Sequence, residues 1–328
     1  MPTVTPRRKV DFVSADSHCT AWHYPGQNGA CVIMAAGLGV IKEPGTDRFA
    51  ERFQQAGYTV LAFDYRHLGE SEGTPRQLVR IKEQLADWQA AISFASTLPG
   101  VDPDKLSIWG FSVSGGHVFT VAARNRHVAA AIAHSPLADG LHSARNALRH
   151  TTFSSIARLT SRAAVDALGG LFGRDPLLVP LAGERGTVAA LTTPDSLNGA
   201  RALNPANKYP HWQQAVAARS AFRVGFYRPA RYASRIRCPL LVLAYDDDGV
   251  APPAPAIRAA KKAYRGQLAR LPGGHYNAFL DGEEPAGQIM LSFLDRVLAP
   301  RTNRGDDEYV QAGEPGVVMR KGPRNPFS

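Results

Sequence analysis

Lys105-Leu-Ser-Ile-Trp-Gly-Phe-Ser-Val-Ser-Gly-Gly-His117 is the stretch on which the reading of this chain turns. An apolar run ends at Gly110, and a serine follows two residues later. Ser114, Gly115 and Gly116 then lead into the helix-compatible Val118-Phe-Thr-Val-Ala-Ala-Arg124. This order outlines a nucleophile elbow, a tight strand-to-helix turn that holds a serine hydroxyl between a base on one side and backbone N–H groups on the other. Small neighbours suit it because the turn is strained and crowded. The commonest form is Gly-x-Ser-x-Gly, and here Ser114 stands at the last position. A glycine- and serine-rich turn without chemistry reads the same way, so the stretch needs support from the rest of the chain.

Two serines compete for the role, because Ser114 also has small residues on both sides. The frame favours Ser112: the strand Leu106 to Trp109 ends at Gly110, so Ser112 falls on the turn while Ser114 is already entering the helix.

Outward from the elbow, the pattern is that of a crossed-over parallel sheet. Val10–Ser14 and His18–Tyr24 alternate polar and apolar residues, as half-buried hairpin strands do. Ala30–Ala35 is continuously apolar, as in a strand covered on both faces, and it ends in Ala36-Gly37-Leu38-Gly39. A helix over about Thr46–Gln55 and a strand Tyr58–Phe63 follow. A long helical pattern then runs from Pro75 to Thr97, with Leu78, Ile81, Leu85, Trp88 and Ile92 on one face. After the elbow helix, His127–Ala133 reads as the next strand.

Residues 1–138 form the first part of this core. From 139 to 232 the alternation stops. Turn signals at Gly169-Gly170, Asp175-Pro176, Val179-Pro180, Thr193-Pro194 and Asn204-Pro205 suggest helical pieces joined by loops. The core resumes over 233–299 with the strand Cys238–Tyr245, a helix over Ala254–Tyr264, the strand Gly266–Leu271 and a last helix over about Glu283–Leu298. The middle section is therefore an insertion between two strands of one sheet, placed as a lid would be. Residues 300–328 are expected to be a loosely held tail.

With 328 residues, 44% of them hydrophobic, the chain can bury a sizeable core. No apolar run reaches the roughly 18 residues of a membrane-spanning helix. The N-terminus leads into strand-like sequence without an apolar signal core, so a cytoplasmic location is expected. Three cysteines at long spacings indicate neither a disulfide framework nor a zinc site, and no other metal spacing or nucleotide motif occurs, so no cofactor is expected. The net charge is +10, but no Lys/Arg block is dense enough for a nucleic-acid arm. The surplus is concentrated between Asp139 and Tyr232, with 12 Lys and Arg against 5 Asp and Glu. That leaves an arginine-rich solvated surface or attraction of acidic or phosphate-bearing substrates as readings. No sequence feature marks a subunit interface.

A serine nucleophile needs a general base, and the base needs an orienting carboxylate. Asp246-Asp-Asp-Gly-Val-Ala-Pro252 closes one later strand and Gly273-Gly-His275 follows the next. In open parallel sheets, functional groups gather at the carboxyl ends of strands, so these loops belong on the elbow's rim. His117, His127 and His134 read as surface or satisfied core histidines.

The elbow, the acid loop and the order Ser, Asp, His resemble the α/β-hydrolase fold over roughly residues 10–298. The resemblance implies a mostly parallel central sheet flanked by helices, with a helical lid inserted between core strands. It implies Ser112, Asp248 and His275 as catalytic residues, Asp248 being chosen over its neighbours because the family's acid often stands four residues before a proline, here Pro252. It also implies an oxyanion hole from the N–H groups of Val113 and Leu38, although Ala36 stands where the family often has histidine. The Gly-x-Ser-x-Ser-Gly-Gly-His form with a large lid is similar to a subgroup of polyketide transferases and thioester hydrolases. The expected partner is a small-molecule acyl ester or thioester, which is either hydrolysed or used in acyl transfer. A non-catalytic ligand-binding member of the fold is the remaining alternative.

Overall fold

The central sheet runs in the order β1-β2-β4-β3-β5-β6-β9-β10-β11. Its antiparallel edge is the hairpin β1 (Arg8–Ser14) and β2 (Ser17–Tyr24), with β2 antiparallel to β4. The parallel centre comprises β3 (Cys31–Ala35), β4 (Thr59–Phe63), β5 (Leu106–Phe111), β6 (Val128–His134), β9 (Leu240–Tyr245) and β10 (Gly266–Leu271). β3, β4, β5 and β9 are buried at every position, which explains why Thr59 and Ser107 are their only polar side chains apart from the Tyr245 hydroxyl and the Trp109 N–H. This computed structural model describes residues 5–299 and the backbone of β11 (Val317–Val318), which pairs antiparallel with β10. The rest of the 300–328 tail lies outside the described residues.

The crossovers are α1 (Lys42–Gln55), α2 (Ile81–Ala95) and α3 (Val113–Arg124). α1 begins four residues before the expected start, because Pro44 falls in the first turn, where its missing N–H costs no helical bond. α2 begins six residues after Pro75. Gln77 has φ 58° and Arg80 is extended, which breaks any helix there, while buried Leu78 supplied the misleading period. α1 packs Phe49 against Trp109 and Phe279, and α2 packs Trp88 against Phe63, so aromatic contacts seat helices on both sides of the sheet.

Between β6 and β9 the chain leaves the sheet. It forms α4 (Gly140–Ala147), α5 (Phe153–Leu171), β7 (Leu178–Pro180), α6 (Gly199–Leu203), β8 (Ala215–Ala217) and α7 (Ala218–Val224). The small β7–β8 ladder was not foreseen: Val179-Pro180, read as a turn, lies in β7, because three-residue strands are too short to show a period and proline is tolerated in a strand at the edge of a two-stranded ladder. Asp166 of α5 ties this segment together, accepting bonds from the Leu177 and Arg219 backbones. The chain then returns through β9, α8 (Pro253–Lys262) and β10, and ends the core with α9 (Glu283–Leu298). α1 and α9 touch, and Met290 of α9 takes a hydrogen bond from Trp109 Nε1 at 3.1 Å.

Candidate active site

Ser112 is the one residue between β5 and α3, with φ 58° and ψ −116°. Left-handed backbone at a non-glycine residue costs roughly 1–3 kcal/mol and survives only where the surroundings impose it. Here the Ser112 N–H donates to the His134 carbonyl at 3.0 Å, and the Ser112 carbonyl accepts from Gly116 N at 3.0 Å and Leu137 N at 2.8 Å. Two neighbours must be glycine for steric reasons: a Cβ on Gly110 would collide with the Ser114 carbonyl, and one on Gly116 with the Leu137 carbonyl. The elbow is therefore braced by the chain that follows β6.

His275 stands on the loop after β10, buried, with Nε2 2.9 Å from Ser112 Oγ and Nδ1 2.8 Å from Asp248 Oδ2. Asp248 Oδ1 accepts from Ala251 N at 2.6 Å, so both carboxylate oxygens are engaged. Rings of Phe111 and Tyr276, each with its centroid 4.9 Å from that of His275, wall the imidazole off from solvent. Asp246 and Asp247 point outward, and Asp246 bonds Arg270 at 2.9 Å. The structure thus brings Ser112, His275 and Asp248 into one line and leaves the other two aspartates outside it.

Ser114 has a different set of partners. Its hydroxyl donates to the Ala36 carbonyl and takes the proton of Tyr65 Oη at 2.6 Å, since Tyr65 Oη is already an acceptor from Trp88 Nε1 at 2.7 Å. This buried relay ties the start of α3 to the end of β3, where Gly37 and Leu38 begin. A Cβ on Gly37 would lie 3.6 Å from Ser112 Oγ, so that backbone passes directly over the serine. Val113 opens α3, and its N–H is one of the donors that a helix leaves unpaired at its first turn. Beyond the turn, buried Lys42 bonds Asp64 through both its backbone N, at 2.7 Å, and Nζ, at 2.8 Å. Burial alone would push the ammonium down, but Asp64, Glu43 and Glu70 outweigh it and hold the Lys42 pKa above its usual value.

The inserted segment reaches this rim at several points. Trp212 Nε1 donates to the Gly39 carbonyl at 2.9 Å, Asn146 Nδ2 to the Gly249 carbonyl at 2.8 Å, and Asp195 Oδ2 accepts from Gly249 N at 2.9 Å and His275 N at 3.3 Å. Sequence reasoning missed Asn146, Asp195 and Ser135, whose hydroxyl donates to Asp248. For Ser135 a signal was present: it ends a strand on the elbow's rim. Asn146 and Asp195 carried none, since contacts from a loop to a distant loop leave no period. His127 is exposed and His117 is a core histidine with both ring nitrogens bonded, as read, whereas buried His134 bonds Tyr245 through Nε2 and leaves Nδ1 without a partner among the described residues; burial holds His117 and His134 at about 3, and they stay neutral.

Residues 27–281 match the family described as serine aminopeptidase, S33. The chain belongs to this α/β-hydrolase family. Among the S33 hydrolase's relatives, the quorum-quenching protein AidA of Acinetobacter baumannii is 37% identical over 294 residues, 88% of this chain and 94% of that protein. Thiohydrolase aneE of Aspergillus aculeatus is 30% identical over 257 residues, 74% of this chain and 78% of its own. The solved α/β hydrolase GrgF from Penicillium sp. sh18 shares the fold, with TM-score 0.73 and 24% identity over 90% of this chain and 100% of that one. A polyketide transferase named grgF from Penicillium is 29% identical over 61% of this chain and 64% of its own length. No helix among the described residues of this hydrolase is long and apolar enough to cross a membrane.

Proposed function

We propose that this hydrolase cleaves a carboxylic ester or thioester through an acyl-enzyme on Ser112. The observation that carries the reading is the unbroken hydrogen-bonded line from Ser112 Oγ through His275 to Asp248. As Ser112 Oγ attacks the carbonyl carbon, its proton passes to His275 Nε2, and the imidazolium so formed faces the Asp248 carboxylate. The carbonyl oxygen takes the negative charge beside the Leu38 and Val113 N–H groups, each worth roughly 3–4 kcal/mol to the transition state. His275 then gives its proton to the departing alkoxide or thiolate. Water, deprotonated by the same nitrogen, releases the acid and restores Ser112.

Residues 139–232 act as a lid in this reading, since they contact the Leu38 turn, the acid loop and the histidine loop together. Acyl transfer to an alcohol or amine, with the acceptor replacing water, is the second reading; the relative named polyketide transferase favours it. The relative named for quorum quenching makes quorum-signal molecules worth including among the substrates. Labelling by a fluorophosphonate, with turnover of short and long acyl esters and thioesters, tests the proposal. Labelling and turnover that vanish in Ser112→Ala support it, and a wild-type protein that neither labels nor turns over any of them overturns it. Product analysis with added alcohol or amine separates transfer from hydrolysis.

A further inference from the structure

Ser135 immediately follows β6 and is 1% exposed. Its φ of 43° lies in the left-handed region, where glycine would be at ease and serine is not. A strained non-glycine residue in a buried site invites the question of what its side chain does there. The Ser135 hydroxyl donates to Asp248 Oδ2 at 2.6 Å, and the same oxygen is 3.1 Å from His275 Nδ1.

We propose that Ser135 is a positioning residue for the Asp248–His275 pair, acting through that pair without touching substrate. The proposal rests on the acyl-enzyme reading above. A carboxylate only accepts, so the Ser135 proton is directed to Asp248 and the Ser135 oxygen faces Nδ1 as an acceptor. Nδ1 then looks at two acceptors, Asp248 Oδ2 and Ser135 Oγ. That arrangement puts the proton of the neutral imidazole on Nδ1 and leaves the Nε2 lone pair toward Ser112 Oγ, the tautomer that a general base needs. Asp248 in turn receives three donors: His275 Nδ1 and Ser135 Oγ on Oδ2, and Ala251 N on Oδ1. A buried carboxylate deprived of one of them would rotate to recover it, and would take His275 along.

The backbone around Ser135 adds a second restraint. Ser135 N donates to the Leu243 carbonyl at 2.9 Å, fixing it to β9, while the His134 carbonyl and Leu137 N hold the Ser112 backbone. Residues 134–137 therefore touch all three members of the line.

Two variants are needed: Ser135→Ala removes only the hydroxyl, and Ser135→Gly removes the whole CH2OH group but accepts the backbone conformation, so together they separate loss of the hydrogen bond from backbone strain. Each is made in the wild-type protein and in Asp248→Ala, and kcat, KM and melting temperature are measured with an activated ester. The expected result for both variants is a protein that still melts cooperatively, a kcat lower by about tenfold to a hundredfold, and little change in KM. In the Asp248→Ala background the same change should alter kcat by a clearly different factor, because Ser135 Oγ, Asp248 Oδ2 and His275 Nδ1 share one set of hydrogen bonds and their losses cannot add independently. Unchanged kcat in Ser135→Gly, or an equal loss in both backgrounds, overturns the proposal. If Asp248→Ala itself keeps wild-type kcat, the role of Asp248 in the proposed function fails and Ser135 falls with it; if Asp248→Ala is impaired and Ser135→Gly is not, Ser135 alone is refuted.

Discussion

Removing the hydroxyl of Ser112 and that of Ser114, two residues apart, should damage different properties of the protein. Ser114 Oγ links Tyr65 Oη to the Ala36 carbonyl, and Tyr65 and Ala36 are each 2% exposed. Ser114→Ala therefore orphans one buried donor and one buried acceptor, each costing roughly 1–3 kcal/mol, for a total of about 2–6 kcal/mol. Ser112 Oγ meets only His275 Nε2 among the described residues, so Ser112→Ala orphans a single buried acceptor and should cost about half as much, roughly 1–3 kcal/mol. For chemistry the order reverses. Loss of the nucleophile should lower kcat by roughly ten-thousand-fold to a million-fold. Ser114→Ala, by loosening the turn that carries Leu38, should cost at most one oxyanion donor, about a hundredfold to a thousandfold. Urea unfolding followed by tryptophan fluorescence gives the first pair of numbers, and fluorophosphonate labelling with steady-state kinetics gives the second. If Ser114→Ala is as stable as wild type, the buried relay is not what holds the turn. If labelling survives in Ser112→Ala and disappears in Ser114→Ala, the assignment of the nucleophile is wrong.

Gly37→Ala places a methyl 3.1 Å from Ser112 Cβ and 3.6 Å from Ser112 Oγ, so it both presses on the nucleophile and crowds the approach to it, and kcat/KM should fall by about tenfold or more; an unchanged kcat/KM would contradict this placement of the substrate. Asp195→Ala removes the acceptor shared by Gly249 N and His275 N, and should lower kcat by about tenfold through misplacement of the acid and histidine loops, as measured with a short ester that does not fill the lid. His117 and His134 sit near 3 when folded and near 6.5 when unfolded, so between those values only the unfolded chain binds their protons. Their stabilisation is complete above pH 6.5 and declines as the pH falls, each contributing up to about 1.4 kcal/mol per pH unit. His117→Gln should accordingly flatten the dependence of urea stability between pH 6 and 4.5 by about one proton; an unaltered slope would show that His117 titrates normally.

Local order in the sequence was enough for the sheet and for the rim. The apolar runs Ala30–Ala35 and Cys238–Tyr245 read as buried strands, and the residues that follow strand ends, Gly37, Ser112 and the aspartates at 246–248, were legible because a strand end in a parallel sheet is a defined place in space; the choice of Asp248 among the three came from the resemblance to the α/β-hydrolase fold. Helix limits were less legible. Pro44 inside α1 and Leu78 outside α2 each obey a local rule whose usual meaning is overridden by first-turn geometry in one case and by tertiary burial in the other.

What the sequence by itself determined is the set of strand-end residues and their order along the chain. The tertiary structure decided which of them meet. Asp248 and not Asp246 or Asp247 faces inward, because the turn after β9 buries one side chain of the three against His275. Ser112 meets the imidazole while Ser114, two positions further on, has rotated with the first turn of α3 to hold Ala36 and Tyr65. Ser135, Asn146 and Asp195 entered only with the coordinates, because hydrogen bonds between residues a hundred positions apart depend on how loops close over one another, and periodicity records only which face of an element is buried.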